Sequence, residues 1–155
     1  IETNPRYPNA FYNRGVVRAD LGDYQQALAD YRKTVELDPG YANAYYNGGN
    51  IFASLGNYQG SISCYRKAVQ ANPELIGAYN NMGNSYAAIG DYAQAIATFT
   101  KVMELDPGYV NAYLMRGIAY RKLGDTQRAY ADLEAAARLG EKHAQAFLIK
   151  HGLSW

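Results

Sequence analysis

The stretch from Ala78 to Gly108 decides the fold, and it reads AYNNMGNSYAAIGDYAQAIATFTKVMELDPG. Shifting it by multiples of 34 residues places Gly83, Gly90 and Pro107 on residues of the same type elsewhere in the chain. The matching residues are Gly15, Gly22 and Pro39, then Gly49, Gly56 and Pro73, then Gly117 and Gly124. The chain is therefore built from repeats of one 34-residue pattern, which we number one to four.

Each repeat contains two helical patterns joined by a short turn. The first helix is predicted to end at an apolar residue that glycine follows. These apolar residues are Leu21, Leu55, Ile89 and Leu123. Glycine adopts a left-handed helix terminus without a side-chain penalty. Aspartate or asparagine comes next, a residue type that caps the following helix. So short a turn predicts antiparallel helix pairs.

A 34-residue period with two helices per repeat resembles the tetratricopeptide repeat (TPR) family over nearly the whole chain. The resemblance implies an all-α fold, a right-handed α-solenoid of antiparallel helix pairs in one domain spanning residues 1–155. The expected segments are repeats 8–41, 42–75, 76–109 and 110–141, a capping helix at about 142–152, and residues 1–7 as the tail of an upstream repeat.

Packing accounts for most aromatic residues of the repeats, because they recur on the faces that helix pairs bury. The residues expected in the core are Phe11, Tyr45, Tyr79, Tyr113, Tyr24, Tyr58, Tyr92, Tyr31, Tyr65 and Phe99. Helical spacing also assigns Leu55 to the packing face of its first helix. Glycine or alanine at repeated positions, such as Gly49, would allow close helix contact.

Composition excludes several functional classes. A net charge of +1 provides no general field for nucleic acid or an anionic membrane. No apolar run is long enough to span a membrane. The single cysteine, Cys64, cannot form an internal disulfide, which favours a reducing, cytoplasmic location.

The sequence offers no group of residues suited to catalysis. The two histidines, His143 and His151, lie two helical turns apart without a neighbouring cysteine, so surface or capping roles are expected. The recurring aspartates fall at turns, where helix capping explains them. We therefore expect neither an enzyme nor a cofactor or metal site.

A second face of each first helix is opposite the packing face, and by resemblance to TPR proteins it lines the binding groove. Nine of the chain's twelve asparagines fall on this face. Asparagine is a poor helix former, so its concentration there calls for a reason. The groove residues we select are Tyr12, Asn13, Tyr46, Asn47, Asn50, Asn81, Asn84, Leu114, Met115, Ile118, Arg121 and Lys122.

The column Asn13, Asn47 and Asn81 resembles the asparagine ladder of some TPR superhelices. A carboxamide can pair with both polar groups of an extended peptide backbone. The alternative is that these amides bond to neighbouring helices or water, and that Asn9, Asn43 and Asn111 cap the first turn. The column is interrupted at Met115.

A carboxylate clamp for acidic chaperone tails is disfavoured, because the cationic positions of that groove are absent here. The leading hypothesis is a non-catalytic scaffold that binds an extended peptide or partner segment in its groove. One alternative is the substrate-recognition segment of a larger enzyme such as a glycosyltransferase. Another is a self-associating structural protein in which residues 1–7 or 153–155 dock into a neighbour.

Overall fold

The computed structural model describes residues 7–152 and residue 154. In this part of the chain nine α-helices follow one another and no β-strand occurs. The helices are α1 (Pro8–Asp20), α2 (Tyr24–Leu37), α3 (Ala42–Ser54), α4 (Tyr58–Ala71), α5 (Ile76–Ala88), α6 (Tyr92–Leu105), α7 (Val110–Lys122), α8 (Thr126–Arg138) and α9 (Lys142–Lys150). The predicted all-α succession of helix pairs is confirmed.

The turn inside each repeat forms as its sequence predicts. In the first repeat Gly22 has a φ of 81°, which places it in the left-handed region. Asp23 then accepts a hydrogen bond from the backbone N–H of Gln26 at 3.3 Å. Each of the other three turns also has a positive-φ glycine followed by a capping side chain. These pairs are Gly56 and Asn57, Gly90 and Asp91, and Gly124 and Asp125.

The second helix of each of the first three repeats ends before a proline. Asp38 has extended backbone angles, and proline disfavours helical geometry in the residue before it. The fourth repeat lacks the proline, and there Gly140 has a φ of 91°. Glu141 then caps α9 by accepting from the N–H of Ala144. The predicted capping helix is thus present, and Gly152 follows its end with a φ of 68°.

The two helices of a pair meet closely at the repeated glycine of the first helix. A Cβ atom on Gly49 would lie 2.5 Å from Cε1 of Tyr65, and one on Gly83 would lie 2.7 Å from Cε1 of Phe99. Both rings are almost completely buried. In the fourth repeat a Cβ atom on Gly117 would instead lie 3.3 Å from the backbone oxygen of Ala129. An aromatic ring therefore leaves no room for a Cβ atom in the earlier repeats, whereas in the last repeat the contact would be tight.

The chain divides into two compact parts, which we call the N-terminal half (residues 1–81) and the C-terminal half (residues 82–155). A core cluster of the N-terminal half contains Ala27, Tyr31, Ala44 and Ile51. A cluster of the C-terminal half contains Ala136, Ala137, Ala144 and Leu148, through which α8 holds α9.

Burial differs from the sequence prediction at two sets of positions. The apolar residues that end the first helices are exposed, with Leu21 at 79% and Leu55 at 58%. Tyr58, expected in the core, is 36% exposed. Helical periodicity predicts which face of the helix a residue lies on, but not whether the partner helix covers that part of the face. These residues lie at or next to the turn, where the paired helix does not cover them.

Candidate functional site

In the N-terminal half, the predicted groove residues form a hydrogen-bonded network across α3 and α5. Asn81 donates through Nδ2 to Oδ1 of Asn50 at 3.0 Å and lies 3.4 Å from the hydroxyl of Tyr46. Tyr65 donates its hydroxyl to the same Asn50 oxygen at 2.8 Å. Asn80 donates to Oδ1 of Asn81 at 3.1 Å. Tyr46 and Asn50, four residues apart on α3, therefore hold the Asn81 amide in a fixed orientation. The buried Tyr65 does the same for Asn50.

One repeat earlier, Asn47 has an equivalent position. Its Nδ2 donates to the hydroxyl of Tyr12 at 3.1 Å. Burial raises the pKa of Tyr31, and a side-chain hydrogen bond with Asn47 opposes that rise. The ring of Tyr12 packs between those of Tyr31 and Tyr41, with centroids 5.9 and 4.9 Å away. Tyr41 in turn donates to Oδ1 of Asn9 at 2.9 Å. Tyrosines and asparagines of successive repeats thus alternate along this face.

These contacts show what the amide column does within the chain. Asn47 and Asn81 bond to side chains of the preceding repeat, as the alternative interpretation of the column anticipated. Asn13, the first member of the column, is exposed. Asn9 accepts from Tyr41, whereas the N-cap of α1 is Tyr7 and has no side-chain cap bond. Peptide binding by the column stays a prediction.

The predicted groove residues of the C-terminal half differ in character. Leu114 and Ile118 line an apolar cavity of about 380 Å³ between α7, α8 and α9, and the exposed Arg121 lies at its rim. The cavity also contains Tyr130 of α8 and Phe147 of α9, whose ring centroids are 6.3 Å apart. The part of the chain described by the structure does not place Met115 or Lys122 in this lining.

Asn84, the remaining predicted groove residue, differs from its counterpart Asn50. Its Oδ1 atom is buried and has no hydrogen-bond partner among the described residues. At the positions equivalent to Tyr65 and Asn81, the next repeat carries Phe99 and Met115, and neither side chain can donate. The amide oxygen of Asn84 therefore lacks equivalents of both donors that bond to Asn50.

Sequence reasoning missed the tyrosines of the second helices as parts of the site. Tyr31 and Tyr65 were assigned to the core, and they are buried, but their hydroxyls also orient groove amides. The signal was the presence of tyrosine rather than phenylalanine at the twenty-fourth position of the first two repeats. A buried phenol needs a hydrogen-bond partner.

The histidines have local structural contacts. His143 Nδ1 lies 3.0 Å from a carboxylate oxygen of Glu141. His151 Nδ1 lies 2.8 Å from the carbonyl oxygen of Phe147, and the two rings stack at 4.2 Å. Among the described residues, His, Cys, Asp and Glu side chains form no group of three or more that could hold a metal ion. Within the same residues no helix has the length and apolar character needed to cross a membrane.

Family profiles match most of the chain. Two profiles described as tetratricopeptide repeat match residues 8–41 and 77–109, and residues 98–131. A third, described as TPR repeat, matches residues 49–90. Comparison with curated proteins gives no match.

Among solved structures the chain is similar to MamA. A crystal structure of MamA is 27% identical, with a TM-score of 0.84, over 92% of this chain and 83% of that one. A second crystal structure of the MamA protein has 27% identity and a TM-score of 0.82, over 92% and 78% of the two chains. MamA from Desulfovibrio magneticus RS-1, residues 41 to end, is 25% identical with a TM-score of 0.77, over 86% and 76%. The predicted α-solenoid fold is confirmed.

Proposed function

Because the chain belongs to the tetratricopeptide repeat family, we propose that it is a non-catalytic interaction scaffold whose first helices hold an extended segment of a partner protein. The observation that supports this most directly is the row of alternating tyrosines and asparagines in the N-terminal half. Its amides are oriented before a partner arrives, and preorganised groups lose little conformational freedom on binding.

The contacts within this row suggest how it would meet a peptide. Asn47 uses its amide nitrogen toward Tyr12, so its carbonyl oxygen is the atom we assign to a partner backbone N–H. The exposed Asn13 would offer both polar groups. Contacts of this kind address the backbone of the bound segment and are largely independent of its sequence.

Selection among segments would come from the C-terminal half. The cavity lined by Leu114, Ile118 and Phe147 is apolar, and Arg121 at its rim is positively charged. We assign to it an apolar side chain of the partner with an acidic neighbour. Lys122, which follows in the last turn of α7, adds a second positive charge.

The test begins by using the chain as bait, followed by mapping of the bound segment as a synthetic peptide. The affinity of that peptide is then measured by calorimetry for the wild type and for Asn13→Ala combined with Asn47→Ala. One hydrogen bond contributes about 1 kcal/mol, so we expect binding to weaken at least about fivefold. Gln59→Ala, an exposed residue near the start of α4, is the matched control.

Thermal melting of each variant separates binding from folding, because Asn47 also bonds to Tyr12. Unchanged affinity of the double variant would exclude backbone capture by this row. The substrate-recognition segment of a larger enzyme could use the same row, and the complete reading frame distinguishes that case.

A further inference from the structure

The seventh position of each repeat shows where the second repeat departs from its neighbours. In the first repeat this position is Arg14, whose Nη2 atom lies 2.7 Å from Oδ1 of the buried Asp30. In the fourth repeat it is Arg116, which pairs with the buried Asp132 at the same 2.7 Å. Each arginine makes a second hydrogen bond to its aspartate through Nε. In both repeats the long arginine side chain is thus held against its own second helix.

In the second repeat, glycine and cysteine take the places of the arginine and the aspartate. These residues are Gly48 and Cys64. A cavity of about 550 Å³ lies there between α2, α3 and α4. Leu28, Tyr45 and Phe52 contribute apolar walls. Ligand pockets in proteins commonly have volumes of about 300–1,000 Å³, so the cavity has the size of a binding site.

Packing does not require a glycine at position 48. A Cβ atom there would lie 3.7 Å from Cδ2 of Leu28 and 3.9 Å from Sγ of Cys64, which are ordinary van der Waals distances. Gly48 lies in the interior of α3 and is not among the positive-φ glycines. Only proline is a worse residue than glycine inside a helix. The glycine therefore weakens α3 without a packing requirement, and the cavity is open because this position carries no long side chain.

We propose that this cavity binds an unbranched apolar side chain, of the size of methionine, from an acidic segment of a partner protein. The size follows from the repeats themselves, because this position carries arginine twice and Met82 in the third repeat. The charge follows from the lining, whose described residues include Arg32 and Lys67 and no acidic side chain.

The two cations at the cavity are well placed to meet an acidic neighbour of the inserted side chain. Arg32 is 76% exposed in its side chain, and its nearest carboxylate, Glu36, is 4.0 Å away. Lys67 Nζ lies over the Tyr45 ring at 5.6 Å from the centroid. Neither residue has to leave a buried ion pair to bind a partner. The lining shares Tyr31 with the groove network but omits Tyr12, Tyr46, Asn47, Asn50 and Asn81, so this inference can be tested separately from the function proposed above.

The experiment uses the full chain labelled with ¹⁵N and a blocked peptide, Ac-Gly-Asp-Met-Glu-Gly-NH₂, at millimolar concentration. We expect saturable shifts of the Gly48, Cys64 and Lys67 amide signals in NMR spectra. Replacing the peptide's methionine by alanine removes most of the buried apolar surface, so binding should weaken about tenfold. Replacing its two acids by lysine should weaken binding severalfold.

Variants of the protein locate the site. Gly48→Met fills the cavity with the side chain found in the third repeat and should abolish the shifts, while Gly48→Ala should retain them. If Gly48→Met does not fold, Cys64→Leu closes the cavity from α4 and provides the same test. Absence of saturable shifts, equal binding to a filled variant, or equal binding of the methionine and alanine peptides would overturn the proposal. Tighter binding of hexanoate than of the peptide would overturn the assignment to a partner protein.

Discussion

At the scale of the single residue, Gly48 and Gly49 are neighbours in α3 with opposite surroundings. Gly49 faces the Tyr65 ring at a distance that leaves no room for a Cβ atom, and Tyr65 is only 1% exposed. Gly48 faces the cavity and has ordinary contact distances. The repeat register already separates them, because glycine recurs at the position of Gly49 but not at that of Gly48, and the second helix shows what each one faces.

We therefore predict that alanine substitutions at the two positions have effects of opposite sign. Gly49→Ala should lower the free energy of unfolding by about 2 kcal/mol, because overpacking a tight contact costs about 1–3 kcal/mol. Gly48→Ala should raise it by about 0.5–1 kcal/mol through helix propensity. Urea unfolding followed by circular dichroism measures both. Equal effects of the two substitutions would contradict the different surroundings of Gly48 and Gly49.

The buried oxygen of Asn84 leads to a second prediction at this scale. Tyr65 donates to Asn50 at 2.8 Å, whereas Phe99 occupies the equivalent position beside Asn84. Phe99→Tyr should supply the missing donor and raise the free energy of unfolding by about 1 kcal/mol. Phe99→Leu is the control, since it removes ring volume without adding a hydroxyl. A destabilised Phe99→Tyr variant would show that the added hydroxyl does not reach the amide.

At the scale of the helix, the sequence predicted the elements well, because their ends depend on local chemistry. The glycine and the capping side chain of each turn act within four residues, so Gly22 and Asp23 are readable from sequence alone. The partners of the groove amides depend on the next repeat, as with Asn81 and Asn50. The cavity beside Gly48 requires three helices at once, and no local pattern predicts it.

The ion pair between α1 and α2 provides a pH-dependent link between helices. Burial alone would raise the pKa of Asp30, but hydrogen bonds and positive charge from Arg14 and Arg18 outweigh it and lower the pKa below its ordinary value of 3.8. A carboxyl whose pKa is lower in the folded chain stabilises the fold above its unfolded pKa. That stabilisation is lost as the pH falls through the folded pKa.

We predict that Asp30→Asn lowers the free energy of unfolding at neutral pH by about 1–2 kcal/mol, because charged hydrogen bonds are lost. The expected loss of stability is small because the Arg14 side chain is 50% exposed and water can solvate it. The difference between variant and wild type should shrink as the pH falls below 3.8. Urea unfolding at neutral and acidic pH measures this. A constant difference across that range would show that Asp30 carries no pH-dependent stability.

At the scale of the whole molecule, the described helices of each half pack against their neighbours along the chain. In the described N-terminal half α1 contacts α2 and α3, α2 contacts α3, and α3 contacts α4. In the described C-terminal half α6 contacts α7, α7 contacts α8, and α8 contacts α9. The stability of such a chain is approximately a sum of repeat stabilities and nearest-neighbour interface contributions. A destabilising substitution in one repeat should therefore lower the stability mainly of that repeat and of its immediate neighbours.

This locality can be tested with Gly49→Ala and native-state hydrogen exchange. The substitution disturbs the contact of α3 with Tyr65 of α4, so amides of α3 and α4 should exchange faster, with smaller changes in α1 and α2. Amides of α7 and α8 should keep their wild-type rates. Gly117→Ala is the matched variant, because its Cβ would lie 3.3 Å from the Ala129 oxygen, and it should reverse the pattern. Uniform acceleration across α1 to α8 by either variant would mean that the repeats unfold as one cooperative unit.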